Sequence, residues 1–384
     1  MKHKPQLEIS PSSTAHMHQL ALDKKAQGIK VYNLAAGDAV LCNHPSITRG
    51  GEQAIASKNM LYAPIAGTRE LRLKATEWIN SYSGANYALE NTMVTCGGKF
   101  ALFMALQALI KPGDEVLIPA PYWVSYPEMV KLFGGIPKLL PTSEKEGWKV
   151  TPAMLQNAIT AKTKALIFNN GCNPTGVVYT QKELQTLVEA SGELFLLSDE
   201  VYSALVYDGQ AYTSLASFAE ARGRMIVVQS CSKNFGMSGW RVGFAFAPPA
   251  WIEALTTLQG QSTSGVSPVN QSAALAALEN VNEVTEYVRG IMQQRRDLFM
   301  QTYRTLFDPK AIAPTSALYY FAKIPQGISS LEFCERALQE ANVALVPGSA
   351  FGVEGYVRFA YSVNEEDIVA ALHSLHGWMQ SNAY

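Results

Sequence analysis

The sequence predicts an α/β protein: a large domain with a mostly parallel sheet between helices, and a smaller α+β domain beside it. Three observations predict it. Between about residues 50 and 280, short apolar runs alternate with helix-like stretches, as in parallel strands joined by helical crossovers. Beyond that block the pattern changes to one long amphipathic segment followed by strand-like runs. The chain has 384 residues, 48% of them hydrophobic and only 16% charged, which is enough for two buried cores.

Taken in order, MKHKPQLEIS is basic with no apolar stretch behind it, so no signal peptide is expected and residues 1–14 read as an N-terminal arm. Residues 15–47 are assigned to the smaller domain, which is completed by residues 281–384 and so takes chain from both ends. The large domain spans residues 48–280. Its strands are TMVTC (92–96), DEVLIPA (114–120), ALIFNN (165–170), LFLLSDE (194–200), MIVVQS (225–230) and RVGFAFAP (241–248), each close to a Gly, Pro, Asp or Asn signal. KFALFMALQALI (99–110) is apolar nearly all round and reads as a buried helix. VTEYVRGIMQQRRDLFMQTYRTL (284–306) is one amphipathic helix, and ALYYFAKI (317–324) and GYVRFAYSV (355–363) are strands of the smaller domain.

Composition excludes several functions. A net charge of -1 without a Lys/Arg run argues against a nucleic-acid surface or a polybasic membrane patch, and the arm before Pro11 has no room for a helix-turn-helix. The longest apolar run is too short to span a bilayer. Five scattered cysteines, Cys42, Cys96, Cys172, Cys231 and Cys334, make no disulfide framework, so a reduced, cytoplasmic protein is expected. The pairs His16/His18 and His373/His376 supply too few ligands for a metal and read as surface residues; no metal is expected. GMSGW lacks the last glycine of a nucleophile elbow, which argues against a serine hydrolase.

The polar residues that remain gather where strands end, the place where open α/β sheets bind ligands. Gly97 and Gly98 end a strand and open a helix, whose free N–H groups welcome an anion such as phosphate. Lys99 sits in that first turn against the preference of the helix dipole. The segment fits neither a Walker A loop, which requires Gly at 93 and Ser or Thr at 100 where Met93 and Phe100 stand, nor a G-x-G-x-x-G fingerprint. Asn173 to Gly176 form NPTG after a strand, although turn chemistry alone also accounts for that sequence. Asp199 closes an apolar strand with Tyr202 just beyond, and Lys233 lies among small residues in SCSKNFGMSGWR. An anion-binding helix end, a carboxylate, an Asn/Tyr pair and an isolated lysine meet the needs of pyridoxal 5'-phosphate, which requires an amine for its aldehyde, an acid for its ring nitrogen and donors for its phenolate.

In order, NLAAGD, YAPIAGTREL, TCGGKFALF, PYWVSYPEM, NPTG, SDEVY, SCSKNFGMSGWRVGF, VPGSAF and VRFAYS cover nearly the whole chain. This set resembles the class I aminotransferases of the fold-type-I pyridoxal-phosphate superfamily, most closely their bacterial aspartate aminotransferase branch. The resemblance implies a seven-stranded sheet and transamination between an L-amino acid, aspartate foremost, and 2-oxoglutarate, by ping-pong half-reactions through an aldimine on Lys233. It implies that Lys233 also shuttles the proton between Cα and the cofactor, and that Asp199 keeps the ring nitrogen protonated. Asn173 and Tyr202 would bind the ring oxygen and Trp123 would stack on the ring. Ser230, Arg241, Gly97 and Gly98 would hold the phosphate, reached also by Tyr62 of the other subunit, so that a homodimer with shared active sites is implied. Arg358 would clamp the α-carboxylate with help from Gly37, and Lys99, with Thr14 and Ser13 nearby, would read a side-chain carboxylate. The chain departs from the family at Ser316–Tyr319, SALY in place of GAFY, and in AGDAV in place of AGEPD. These changes leave the cofactor chemistry untouched but bear on side-chain specificity, so one alternative is an aminotransferase of aromatic or other amino acids; another is a pyridoxal-phosphate carbon–sulfur β-lyase, since such lyases share the fold and the same lysine.

Overall fold

Runs that are apolar at every position cannot sit with one face in water, and they form the centre of the sheet here. The computed structural model describes residues 9–38, 43–58 and 61–382. Its strands are β1 (Tyr32–Asn33), β2 (Thr92–Thr95), β3 (Glu115–Ala120), β4 (Ile136–Pro141), β5 (Thr163–Asn169), β6 (Phe195–Asp199), β7 (Met225–Ser230), β8 (Gly243–Phe246), β9 (Tyr319–Lys323), β10 (Val343–Ala344), β11 (Val346–Pro347) and β12 (Tyr356–Ala360). Seven of them make one sheet in the order β2-β8-β7-β6-β5-β3-β4. β8 runs antiparallel to both of its neighbours, and every other pair is parallel. Buried residues fill β6 and β7 completely, and apolar helices cover both faces of the sheet.

β4 is a strand that the sequence reading does not contain. It lies at the edge, is half exposed, and carries Pro137 and Pro141, so it lacks the apolar run and the unbroken donors that mark a strand. Arg241 was assigned to the strand RVGFAFAP, but it adopts a left-handed conformation (φ 56°) and β8 begins only at Gly243.

The second core gathers both ends of the described chain. Met17 and Ala21 of the helix Ser13–Ala26 pack with Phe299 of the helix Val281–Leu306, Phe359 of β12 and Trp378 of the helix Glu365–Ser381. β1 pairs in parallel with β10, Tyr32 opposite Val343, while β11, β12 and β9 form an antiparallel sheet of their own. The expected arm at residues 1–14 lies outside the described residues as far as residue 8. The helix that follows starts at Ser13 and is capped by Ser12, whose side chain accepts from the Ala15 N–H. Among the described residues no helix is long and apolar enough to cross a membrane.

Candidate active site

The carboxyl ends of β5, β6 and β7 open into a cavity of about 560 Å³ between the two cores. Of the site residues read from the sequence, all but Ser13, Gly97 and Tyr62 line it.

At one end is a cradle for an anion. Gly97 (φ 84°) precedes the helix Gly98–Leu109 and gives it no side-chain cap, which leaves the first N–H groups free. A Cβ on Gly97 would come within 2.6 Å of Arg241 Nη2, so glycine is required both by its backbone and by the guanidinium beside it. Arg241 donates to Ser238 O at 2.9 Å and to Ser232 Oγ at 3.4 Å, and Ser230 Oγ accepts from the Ser232 N–H at 3.1 Å. Ser232 and Ser238, which the sequence reading did not single out, therefore complete this corner. A helix N-terminus, a guanidinium and serine hydroxyls are the donor set that a phosphate requires.

Asp199 ends β6 fully buried. Burial pushes its carboxyl up to about 6, against donation by Tyr126 Oη at 2.5 Å and by the Val201 N–H at 3.3 Å. Trp123, just before the helix Ser125–Leu132, and Tyr126, in its first turn, meet edge to face, 5.4 Å between centroids. Lys99 Nζ sits 4.8 Å from the centre of the Trp123 ring, and burial followed by the Arg241 charge draws its pKa down. Lys233, in the short helix Cys231–Asn234, donates to Gly37 O at 2.7 Å and lies 3.6 Å from Asp38 Oδ1.

Arg358 is 1% exposed, and among the described residues no carboxylate pairs with it. It donates to Asn173 Oδ1 at 3.0 Å and to Ala35 O at 2.7 Å, while its Nε has no partner. Its charge also rests against the Tyr319 ring, 4.2 Å from the centroid, and against Phe351. A buried cation held only by neutral groups is a demand for an anion. Asn173 is oriented from behind, its N–H donating to Asn169 Oδ1, and Tyr202 Oη lies 3.0 Å from Tyr319 Oη.

Thr14 lines the cavity from the helix Ser13–Ala26, its Oγ1 buried without a partner. His18, one helical turn further, lines it as well and contacts Asn33 through Nδ1 at 2.8 Å, which corrects the surface reading for this histidine. Helical spacing from Thr14 was the available signal. His16 and His373 are exposed, and His376 packs edge-on against Phe307. Tyr62 is 95% exposed and outside the cavity of its own chain. Of the family departures, Ser316 turns away from the cavity and donates to Gly176 O at 2.9 Å, while Gly37 and Asp38 line it. Ala39 and Val40, like Cys42, lie outside the described residues.

Comparison with known proteins follows the same lines. The sequence model of the family described as aminotransferase class I and II matches residues 29–375. A probable aspartate/prephenate aminotransferase of Thermus aquaticus is 38% identical over 370 residues, 95% of each chain. The aspartate aminotransferase from Thermus thermophilus with maleate superposes with a TM-score of 0.91 at 36% identity, over 96% of this chain and 97% of that one. An aromatic aminotransferase from Pyrococcus horikoshii superposes at 0.88 with 34% identity, over 94% and 99%.

Proposed function

We propose, from the premise that this chain belongs to the class I and II aminotransferases and is a pyridoxal-phosphate-dependent enzyme of fold type I, that it moves the amino group of aspartate to 2-oxoglutarate. The observation that carries the reading is the pair of cations facing one cavity, the buried Arg358 without a carboxylate and the more exposed Lys99 against Trp123. Arg358 serves the carboxylate that every amino acid has. Lys99 gives the second positive charge that a dicarboxylic side chain needs, and Thr14 adds a hydroxyl without another partner.

The cofactor supplies an aldehyde that takes up the amino group and a ring that accepts the electron pair left when Cα loses its proton. The residues do the rest. Gly97, Gly98, Ser230 and Arg241 would hold the phosphate, and Trp123 would stack on the ring. Asp199 opposes the charge of the ring nitrogen. Asn173 and Tyr202 donate towards the ring oxygen, and Asn173 also steadies Arg358. Arg358 binds the α-carboxylate beside Gly37, which directs the Cα proton to Lys233 Nζ. Lys233 carries that proton away, and in the second half-reaction, with the 2-oxo acid bound, the same residues act in reverse order.

We assign residues 48–280 to a cofactor-binding domain, with 15–47 and 281–384 as the smaller domain that brings Arg358. The exposed Tyr62 is assigned to the phosphate of a partner subunit in a homodimer, and the enzyme to the cytoplasm. The Pyrococcus neighbour motivates one rival, an aromatic donor. A panel of aspartate, glutamate, alanine and phenylalanine, scored by the spectral change of the cofactor as it gains the amino group, tests both. Aspartate first is the expected order. A preference for phenylalanine favours the aromatic reading, and release of pyruvate without amino transfer indicates a lyase.

A further inference from the structure

We infer that Tyr126 is a positioning residue for the transamination proposed above, its hydroxyl holding Asp199 in place and in the charged form that a protonated ring nitrogen requires. The two groups are both buried, and Tyr126 Oη stands 2.5 Å from Asp199 Oδ2. The only other donor to the carboxylate among the described residues is the Val201 N–H, at a longer 3.3 Å. A carboxylate taken out of water keeps its charge only as far as donors replace the lost solvent. Here most of that replacement falls on one phenol.

Tyr126 is also fixed in its task. Its ring, in the first turn of the helix Ser125–Leu132, is held edge to face by Trp123 just before that helix, and the Tyr126 N–H donates to Trp123 O at 3.0 Å, so the wall over the cofactor and the support of Asp199 come from adjoining residues tied together. The titratable groups facing Asp199 are Tyr126 itself, Tyr202 and Tyr212 from the chain after β6, and Cys172 from the turn after β5. Burial pushes the tyrosines up and the thiol to about 11, so all four stay protonated at neutral pH. Across the cavity stand the cations of Lys233, Lys99, Arg241 and Arg358. Glu200 follows on the strand but is bound by Ser198, Ser214 and the Leu215 N–H. Asp199 is thus the carboxyl in this cluster whose protonation Tyr126 controls.

The test is binding of pyridoxal phosphate to apoprotein, followed by absorbance between about pH 5 and 8.5, for wild type, Tyr126→Phe, Asp199→Asn and the double variant. Tyr126→Phe is expected to weaken binding about tenfold near pH 7, the size of a hydrogen bond to a charged group. It is also expected to move the acid limb of the affinity about one pH unit upwards, and to add nothing in the Asp199→Asn background. Binding within twofold of wild type at every pH, beside an impaired Asp199→Asn, overturns the inference. So does an equal loss in both backgrounds, which marks Tyr126 as a packing residue. A wild type that binds no pyridoxal phosphate instead overturns the cofactor assignment on which the inference rests.

Discussion

Arg358 lies against Tyr319, its guanidinium carbon 4.2 Å from the ring centroid, and the hydroxyl of that tyrosine reaches Tyr202. One ring therefore touches the cation assigned to the substrate and the phenol assigned to the cofactor. Gly37 is the residue that leaves room for it, since a Cβ there would fall inside the Tyr319 hydroxyl. Gly37→Ala is expected to push Tyr319 aside and lower kcat/KM for every amino donor about tenfold or more, in the range of overpacking costs of about 1–3 kcal/mol. Tyr319→Phe keeps the ring and is expected to cost less. Unchanged kinetics in Gly37→Ala would show that the loop moves freely.

Lys233→Ala is expected to abolish turnover while the protein still binds pyridoxal phosphate, because Arg241, Ser230, Asp199 and Asn173 remain. The bound cofactor should come off by dialysis more readily than from wild type. Turnover near the wild-type rate in this variant overturns the role given to Lys233.

Lys99→Ala separates the two cations. If Lys99 reads the distal carboxylate, kcat/KM for aspartate should fall by about 2 kcal/mol, some thirtyfold, while alanine changes little. An equal fall for both substrates would place Lys99 with the phosphate, beside Arg241, whose charge, after burial, lowers the Lys99 pKa.

Glu200 leads to a prediction on stability. It is buried, and burial pushes its carboxyl up to about 7 in spite of three donors that converge on Oε1. A carboxyl raised by folding binds its proton more tightly in the native state. Its contribution is therefore fully present below the ordinary value of 4.5 and is lost as the pH rises towards 7. Glu200→Gln keeps an oxygen for the same donors and carries no charge. The variant should lose part of the wild-type decline in stability between about pH 5 and 8, at most about 3 kcal/mol, read from melting curves at each pH. Parallel melting curves across that range would contradict the shift.

The central strands of the large sheet were legible because burial on both faces demands continuous apolar residues. The edge strand β4, with its prolines and half-exposed side chains, was not. For the site, the residues assigned to the cofactor announced themselves as polar interruptions at strand ends, as with Asp199 after four buried neighbours. Tyr319 carried no such mark. Its contact with Arg358 runs diagonally between β9 and β12, and only the register of that pair, Arg358 opposite Phe321, brings the two together. Tyr126 could have been found from its helical spacing to Trp123, but its partner Asp199 is 73 positions away.

The pairing of β1 with β10 has a consequence for how the protein comes into being. Tyr32 lies opposite Val343 and its N–H donates to Asn342 O at 2.9 Å, across about 310 residues of chain, among the most non-local contacts such a fold can contain. During synthesis at about 5–20 residues per second, the N-terminal strand must therefore wait on the order of tens of seconds for its partner to leave the ribosome. The helix Ser13–Ala26, with Met17 and Ala21 turned to the same core, waits with it and shows apolar surface meanwhile. The large sheet has no such delay, as its strands all lie between Thr92 and Phe246. The residues assigned to the cofactor are thus assembled early, while the helix carrying Thr14 and the strand carrying Arg358 join them last.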